Sequence, residues 1–279
     1  MNTITTAFQG ERGAFSEKAA TRLLGHDVAL LPCRSFEEMF ASVGEGAADC
    51  CVAPIENSLA GSIHRNYDLL LASQLTVAGE TNLRIVHNLI ARGGATLEGI
   101  RRVYSHPVAL AQCGRFLRDL RGVEAVPVHD TAGAVRLVLE RDSDEEAAIA
   151  SAEAATLYGG NVLAPGIEDH AQNFTRFLLL THASRSLPVQ EPARRWKTSL
   201  VFRVPNQPGS LHRALGAFAM FDIDLAKIES RPVEGRPWEY AFYLDLIGRR
   251  DEPHIARALE NLTAMAETVQ VLGSYPTKW

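Results

Sequence analysis

The last eighty or so residues carry the pattern that most restricts how this chain can fold. Four apolar, strand-like runs stand there: TSLVFRV (198–204), IDLAKIESRP (223–232), WEYAFYLDLIG (238–248) and TVQVLGSY (268–275). Amphipathic helical patterns follow the first and the third of these runs, at residues 209–221 and 252–266. The order βαββαβ within so short a segment predicts a ferredoxin-like domain at residues 198–279.

The segment before this domain has a different composition. Residues 184–197, SRSLPVQEPARRWK, contain two prolines and three arginines and show no apolar period. Such a stretch is typical of a connection rather than of a helix or strand. It therefore predicts a linker between two domains.

Residues 1–183 alternate short apolar runs with helical patterns. One series runs through ITTAFQ (4–9), VALLP (28–32) and ADCCVAPI (48–55), and a second series from about residue 79 runs through LRIVHNLIA (83–91), RRVYS (101–105), VEAVPV (123–128) and EAAIAS (146–151). Strands that alternate with helices indicate βαβ units and a mostly parallel sheet. Because NFTRFLLLTH adds one late strand, we expect two α/β lobes around a cleft: about 1–78 with 171–183, and about 79–170.

Composition and charge argue against several classes of function. The chain is 46% hydrophobic and 22% charged, with a net charge of −5, which is ordinary for a globular protein and argues against a nucleic-acid partner. No apolar run approaches the ~20 residues needed to cross a bilayer, and the first residues do not resemble a signal peptide, so we expect no membrane partner and a cytoplasmic location. The four cysteines form no CxxC pair and the histidines no HExxH, so no metal site is predicted.

Four junctions between a strand and the next helix are rich in polar residues and glycine. They are Gln9–Gly13, Glu56–Ser58, Ser105–Pro107 and Asp130–Gly133. The start of a helix exposes unpaired N–H groups, which attract anions. Each junction taken alone is better explained as an ordinary N-cap. Four in series, together with Asn173, Thr175 and Arg176, predict a site for a doubly charged anion.

The sequence gives little support for dinucleotide binding or for a serine hydrolase. Gly10 and Gly13 lack the third glycine of the dinucleotide fingerprint, and no G-x-S-x-G element is present. His106 suits either a general acid or a polar helix start. Cys113 suits packing better than nucleophilic attack, and the adjacent Cys50 and Cys51 read as small buried hydrophobes. His87, inside an apolar run, reads as a satisfied core histidine.

Several of these stretches together resemble a known family. APIENSLAGSIHRNYDLL (53–70), SHPVALAQC (105–113), HDTAGAV (129–135) and NFTRF (173–177) are similar to the motifs of prephenate dehydratase, in the order and spacing of that family. NQPGSLHRALGAF and IESRP resemble its ACT regulatory domain. The resemblance implies a two-lobed, periplasmic-binding-protein-like catalytic domain at 1–183 and a ferredoxin-like ACT domain at 198–279.

The resemblance also implies a reaction. Prephenate would lose water and carbon dioxide to give phenylpyruvate, without a cofactor. The threonine of the NFTRF motif, here Thr175, would be the catalytic residue, as a hydrogen-bond donor to the departing hydroxyl. Arg176 would pair with a carboxylate, unless strand alternation turns it away from the cleft. The substrate-binding residues implied are Glu56, Asn57, Ser58, Ser105, His106, Thr131, Asn173 and Arg176, with Glu56 either a proton source or, as we favour, a support for Asn57.

The ACT resemblance implies feedback inhibition by phenylalanine bound at a subunit interface. The expected ligand-binding residues are Asn206, Gln207, Pro208, Gly209, Ser210, Leu211, Glu229, Ser230, Arg231 and Pro232. We therefore expect a homodimer or homotetramer formed through these domains. Because the first strand begins at residue 4, a fused chorismate mutase domain is not expected, and the chain is predicted to be monofunctional. Two alternatives stay open: an arogenate dehydratase and a non-catalytic sensor of aromatic metabolites.

Overall fold

The computed structural model describes residues 3–141, 143–190 and 195–277. It divides into two compact units. The first contains the chain up to Gln74 together with Thr81–His182, and the second contains Leu75–Glu80 together with the chain from Ala183 onwards. The second unit is therefore built from two separate stretches of sequence.

The first unit alternates strands and helices. In chain order the elements are β1 (Ile4–Gln9), α1 (Phe15–Leu24), β2 (Val28–Cys33), α2 (Phe36–Gly44), β3 (Cys50–Asn57), β4 (Gly61–Ser62), α3 (His64–Ala72), β5 (Leu75–Arg84), β6 (Asn88–Ala91), β7 (Arg102–Ser105), α4 (Pro107–Gln112), α5 (Gly114–Asp119), β8 (Glu124–Pro127), α6 (Thr131–Glu140), β9 (Glu146–Ala150), α7 (Ala152–Tyr158), β10 (Asn161–Ala164) and β11 (Phe174–His182). Residues 75–80 of β5 belong to the second unit.

One sheet has the strand order β2-β1-β3-β11-β5, with β4 paired to β3. Strand β1 runs parallel to β2 and β3, whereas the late strand β11 runs antiparallel to β3. Their register places Thr175 opposite Asn57 and Arg176 opposite Glu56. Strands β3 and β11 are buried along most of their length, which is why both read as continuous apolar runs rather than alternating ones.

The other sheet has the order β10-β6-β9-β7-β8. Strand β7 is parallel to β8 and β9, and β6 is antiparallel to β9 and β10. Two α/β sheets thus form the two lobes predicted from the sequence. Cys50, Cys51 and Cys113 are fully buried, as expected of small apolar side chains.

A close approach joins the lobes. Gly13 has φ +86°, and a Cβ at this position would lie 2.8 Å from Cα of Ala154 on α7. The Ser151 hydroxyl donates to the Gly13 carbonyl at 2.7 Å. The second glycine of the GxxG loop therefore allows close packing between the lobes.

Two predicted elements are broken in the structure. LRIVHNLIA is not one strand, because β5 ends at Arg84 and β6 begins at Asn88, in the other sheet. Between them the Ile85 N–H donates to the Asn173 carbonyl, and the His87 N–H donates to Glu168 Oε2, so neither group joins a strand ladder. The predicted helix through Cys113 is likewise two helices, because Cys113 leaves helical geometry at φ −112° and ψ 23°.

The second unit has the predicted βαββαβ order. Its elements are β12 (Arg195–Arg203), α8 (Ser210–Ala219), β13 (Leu225–Val233), β14 (Arg236–Ile247), α9 (Pro253–Met265) and β15 (Thr268–Thr277). The strands form an antiparallel sheet in the order β13-β14-β12-β15. Alternate residues of β12, including Leu200 and Phe202, pack in one apolar core with Ala214 and Phe218 of α8.

The segment Leu75–Glu80 is fastened to this unit by polar groups and a close contact. Lys197 Nζ lies 2.7 Å from Glu80 Oε1, with only 2% of either side chain exposed. The Thr277 hydroxyl also donates to Glu80, and the Thr76 hydroxyl donates to the Leu272 carbonyl at 2.7 Å. A Cβ at Gly273 would lie 2.3 Å from the Val77 carbonyl oxygen, so only glycine fits there.

Candidate active site

A cavity of about 330 Å³ lies within the first unit. This volume is at the lower end of the range for small-molecule sites, about 300–1,000 Å³. Residues from both lobes line it: Gln9, Gly10, Ala14, Phe15, Ser16, Phe36, Pro54, Asn57, Ala60, Ile63, Ile85, His87, His106, Val108, Ala109, Gln112, His129, Asp130, Thr131, Thr175 and Phe177. Each of the four predicted polar junctions therefore contributes at least one residue to one cavity.

The pairing of β3 with β11 brings two predicted residues into contact. Asn57 ends β3, Thr175 lies opposite it on β11, and Asn57 Nδ2 donates to Thr175 Oγ1 at 2.9 Å. Both residues line the cavity and are 8% exposed. The Thr175 oxygen thus acts as an acceptor towards Asn57, which leaves its own proton to be donated elsewhere.

The orientation of the Asn57 amide is set by the backbone. Its Oδ1 accepts from the N–H groups of Leu59 at 3.0 Å and Ala60 at 2.9 Å. Its Nδ2 also lies 3.2 Å from the Phe174 carbonyl oxygen, which can only accept. These partners place the oxygen and nitrogen of the amide without ambiguity. The direction of the bond from Asn57 to Thr175 follows from them.

Three further polar side chains continue the network. Asn57 Nδ2 donates to Asn173 Oδ1 at 2.8 Å, and Asn173 Nδ2 donates to Gln112 Oε1 at 2.9 Å. Gln112 Nε2 returns to Asn57 Oδ1 at 3.2 Å. His87 Nε2 lies 3.0 Å from Gln112 Oε1. This closed network holds the three amides and the hydroxyl of Thr175 in one arrangement.

The far side of the cavity is formed by helix starts. His106 is the N-cap of α4 and its Nδ1 accepts from the Val108 N–H at 3.2 Å, so the proton of the neutral ring is on Nε2. Burial lowers the pKa of His106, and the neighbouring His129 lowers it further. Asp130 is the N-cap of α6 and accepts from the Gly133 N–H at 2.6 Å, beside Thr131.

The cavity offers hydrogen-bond donors to an anion without using a basic side chain, and one carboxylate, that of Asp130, also lines it. Among the described residues that line it, none is lysine or arginine. The ten-residue helices α1 and α6 begin at its wall, and each helix start contributes about 0.3–1 kcal/mol towards a negative group. The two helix starts, the Thr175 hydroxyl and the His106 Nε2–H are therefore the groups that can favour an anion.

Two of the predicted substrate-binding residues, Ser105 and Ser58, are not among the described residues that line the cavity. Ser105 is fully buried and its hydroxyl donates to the Ile149 carbonyl at 2.6 Å, so it ties β7 to β9 and does not line the cavity. Ser58 accepts from the Phe174 N–H and donates to the Gln172 carbonyl, both at 3.0 Å, and so closes the loop before β11. Both roles are structural.

Glu56 and Arg176 lie opposite each other in the β3–β11 register. Because neighbouring residues of a strand point to opposite faces, they are on the face away from Asn57 and Thr175. Neither is among the described residues that line the cavity. The prediction of a carboxylate contact from Arg176 is therefore not supported by the strand geometry, and the same holds for Glu56.

The structure adds residues that the sequence interpretation missed. Gln112 joins Asn57 to Asn173, and it lies within the segment SHPVALAQC that carries the family resemblance, although it was not singled out as a site residue. His87 is not a satisfied core histidine, because its Nδ1 is buried without a hydrogen-bond partner while its ring lines the cavity. Cys113 is packed away from the cavity, and burial raises the pKa of its thiol to about 12.

The predicted regulatory residues lie on two elements of the second unit. Residues 206–209 form the turn that enters α8, where Gly209 is the N-cap at φ +80° and Ser210 and Leu211 begin the helix. Arg213 donates to the Pro208 carbonyl at 3.4 Å and to Ser210 Oγ at 3.2 Å, which fastens this turn. Glu229, Ser230, Arg231 and Pro232 follow one another on β13, at the edge of the sheet.

In residues 3–141, 143–190 and 195–277 no group of three or more His, Cys, Asp and Glu side chains is placed to hold a metal ion. None of the helices described there has the length and apolar character that crossing a membrane requires.

Comparison with known proteins identifies the family of this chain. A family model described as prephenate dehydratase matches residues 6–185, and one described as ACT domain matches residues 198–264. "Arogenate dehydratase/prephenate dehydratase 2, chloroplastic" of Arabidopsis thaliana is 42% identical over 282 residues, which cover 98% of this chain and 73% of the relative.

Two solved structures are similar over nearly the whole chain. Prephenate dehydratase from Arthrobacter aurescens, in complex with L-Phe, has a TM-score of 0.89 and 33% identity and covers 98% of this chain and 90% of its own. A structure described as "GqqA- a novel type of quorum quenching acylases" has a TM-score of 0.87 and 37% identity, with 98% of both chains covered.

Proposed function

This chain belongs to the prephenate dehydratase family, and from that premise we propose that it converts prephenate to phenylpyruvate by decarboxylating dehydration. The observation that carries the proposal is the Thr175 hydroxyl, which lines the cavity and accepts from Asn57. A hydroxyl held in this way presents its proton to a bound substrate. The reaction needs such a donor where the substrate's hydroxyl departs.

The substrate carries two carboxylates, and the cavity offers donors for both. The starts of α1 and α6 supply N–H groups and the positive ends of their helix dipoles. His106 adds an Nε2–H from the neutral ring. An arrangement of dipoles and neutral donors binds a di-anion without fixing the ring carboxylate in a strong ion pair, which would oppose its loss.

The chemical step then follows from charge balance. The bond between the ring and its carboxylate breaks and releases carbon dioxide, and the electron pair left behind completes the aromatic ring. The carbon–oxygen bond breaks at the same time, and the departing oxygen leaves as hydroxide that takes up a proton from solvent. Thr175 donates a hydrogen bond to this oxygen as negative charge develops on it, which lowers the barrier without ionisation of the threonine.

Turnover of purified protein with prephenate tests the proposal. Phenylpyruvate should form in proportion to enzyme, and its absence at every enzyme concentration would instead favour a non-catalytic sensor. Arogenate is the second candidate substrate, because the Arabidopsis relative is named for both activities. Asp130 lines the cavity and offers a carboxylate to the ammonium that arogenate has in place of a keto group. The ratio of kcat/KM for the two compounds decides between them.

The similarity to the structure described as an acylase does not make amide hydrolysis a third candidate function. Attack on an amide requires an activated nucleophile. The Thr175 oxygen accepts from the Asn57 amide, and the Cys113 thiol is buried with a raised pKa. These contacts do not activate either group as a nucleophile.

Regulation and assembly complete the proposal. Phenylalanine binding at the turn before α8 and at β13 would inhibit the enzyme, as the L-Phe complex of the Arthrobacter aurescens relative suggests. Pairing of ACT domains would make the protein a homodimer or homotetramer in the cytoplasm. Light scattering coupled to size exclusion measures the mass with and without phenylalanine, and a monomer under both conditions would contradict this assembly.

A further inference from the structure

His87 is the one cavity-lining side chain of the described chain with a buried polar atom that lacks a hydrogen-bond partner. The residue is 2% exposed, its ring meets Phe15 edge to face at 5.7 Å, and its backbone N–H donates to Glu168. A buried nitrogen without a hydrogen-bond partner destabilises the folded state. A leucine would fill such a position without that cost, so the ring has a purpose beyond packing.

The protonation of this ring follows from its neighbours in two steps. The backbone donors of Leu59 and Ala60 fix the Asn57 oxygen. Because Gln112 donates to that oxygen, its nitrogen is the end that faces Asn57. The other end, Gln112 Oε1, is then an acceptor.

Gln112 Oε1 therefore receives two donors. One is Asn173 Nδ2, and the other is His87 Nε2 at 3.0 Å. His87 must carry its proton on Nε2, and its Nδ1 holds the lone pair that has no partner. Protonation of Nδ1 would place a buried N–H without an acceptor, so the ring stays neutral.

From this geometry we propose that His87 is a positioning residue for Thr175, which acts through Gln112 in its neutral Nε2–H form. The path is short: His87 and Asn173 hold Gln112, Gln112 holds the Asn57 oxygen, and Asn57 holds the Thr175 hydroxyl. Without the bond from His87, the Gln112 amide gains freedom to rotate. The hydroxyl of Thr175 then samples orientations that do not face the departing oxygen.

The proposal rests on the proposed dehydratase function, but one test is independent of turnover. Nitrogen-15 spectra of the imidazoles of the wild-type protein, with His87 assigned by its loss in His87→Gln, report which ring nitrogen carries hydrogen. We expect a protonated Nε2 and an unprotonated Nδ1 at neutral pH. A protonated Nδ1 would overturn the proposal even if prephenate turnover is fast, whereas absent turnover with the expected spectrum would count against the function alone.

Kinetics give the second test. His87→Leu keeps the volume but removes the donor, and should lower kcat about 10-fold, the equivalent of one neutral hydrogen bond, with little change in KM. His87→Gln keeps a donor near Nε2 and should recover most of the rate. Equal kcat values in both variants and the wild type would contradict the proposal.

A double-mutant cycle separates positioning from packing. If His87 acts through Gln112, the variant with both His87→Leu and Gln112→Ala should be no slower than Gln112→Ala alone. Fully additive losses would mean that His87 acts independently of Gln112, which would overturn the assignment. Thermal unfolding of each variant confirms that the comparison is made between folded proteins.

Discussion

The Asn57 amide and the Thr175 hydroxyl meet at 2.9 Å across two strands whose residues are 118 positions apart in the chain. The antiparallel register of β3 with β11 makes the contact, and backbone donors fix its direction. A late strand inserted into the first sheet thus completes a site whose other parts come from the first half of the chain. From this contact we expect the Thr175 hydroxyl to be important for turnover.

Removal of the Thr175 hydroxyl should abolish most of the activity. Thr175→Val keeps the shape but leaves no donor for the departing oxygen, and kcat should fall about 100- to 1,000-fold. Thr175→Ser should retain much of the rate. Steady-state assays with prephenate measure both.

Thr181 provides the matched control on the same strand. It is fully buried, and its hydroxyl donates to the Asp49 carbonyl at 2.8 Å, outside the cavity. Thr181→Val should cost about 1 kcal/mol of unfolding free energy and leave kcat unchanged. A loss of activity in Thr181→Val equal to that in Thr175→Val would show that the effect is one of strand stability.

Stability should fall as the medium becomes acidic, in part because of His87. Burial lowers the pKa of His87 in the folded protein, against the raising effects of Gln112 and Glu168. Below about pH 6.5, the ordinary value for histidine, the unfolded chain binds more protons than the folded one. The free energy of unfolding then decreases as pH falls towards the folded-state pKa. Denaturant titrations from pH 5 to pH 8 measure how steeply the free energy of unfolding changes with pH. This slope should be smaller in His87→Gln. An unchanged slope would contradict a lowered pKa of His87 in the folded protein.

Loss of one partner of the Lys197–Glu80 pair should strongly lower the free energy of unfolding, whereas replacement of both partners by apolar residues should change it little. Since 2% of each side chain is exposed, Lys197→Met or Glu80→Leu alone leaves a buried charge and should cost about 3–5 kcal/mol of unfolding free energy. The variant with both substitutions should recover most of that loss. Chemical denaturation of the four proteins gives the coupling energy.

An exposed pair serves as the reference for this cycle. Arg136 and Glu140 lie 3.3 Å apart on α6, with 47% and 61% of their side chains exposed. Their coupling should stay near about 0.3–0.5 kcal/mol. A value as small for the Lys197–Glu80 pair would show that its burial is not energetically important.

Phenylalanine sensitivity should depend on the edge strand of the second unit. Ser230→Ala and Arg231→Ala alter the segment that we propose contacts the ligand, so the concentration of phenylalanine that halves activity should rise at least about 10-fold, the effect of one lost polar contact. The rate without phenylalanine should be unchanged. Arg257→Ala, at an exposed position of α9, is the control, and unaltered inhibition in all three variants would argue against this binding site.

Much of the architecture follows from local patterns, and the departures have physical causes. The βαββαβ order and the alternation of strands and helices in the two lobes were predictable, because the spacing of apolar residues and the turn residues are local signals. Strand β5 was not, because LTVAGETNLR contains Gly79 and the charged Glu80 in its middle. The latter is tolerated there only because Lys197, 117 residues away, neutralises it.

The residues of the candidate site likewise fall into those that the sequence predicted and those that it did not. Motif residues such as Asn57, Asn173 and Thr175 stood out in the sequence, and the structure brings them together. Gln112, although it lies within the quoted segment SHPVALAQC, and His87 were not identified as site residues, since a glutamine in a helix and a histidine in an apolar run are common. Their role depends on amide orientations that only the three-dimensional contacts reveal.

The split composition of the second unit bears on how this protein can be cut or recombined. A fragment that starts at residue 195 would keep the four strands and two helices yet lack residues 75–80, so Lys197 would lose its carboxylate and Gly273 its backbone neighbour. A fragment that stops at residue 183 would leave Glu80 without its lysine. The regulatory domain therefore cannot be transferred as the segment from residue 195 onwards alone. Grafting it onto another enzyme requires the host to supply a strand equivalent to Leu75–Glu80.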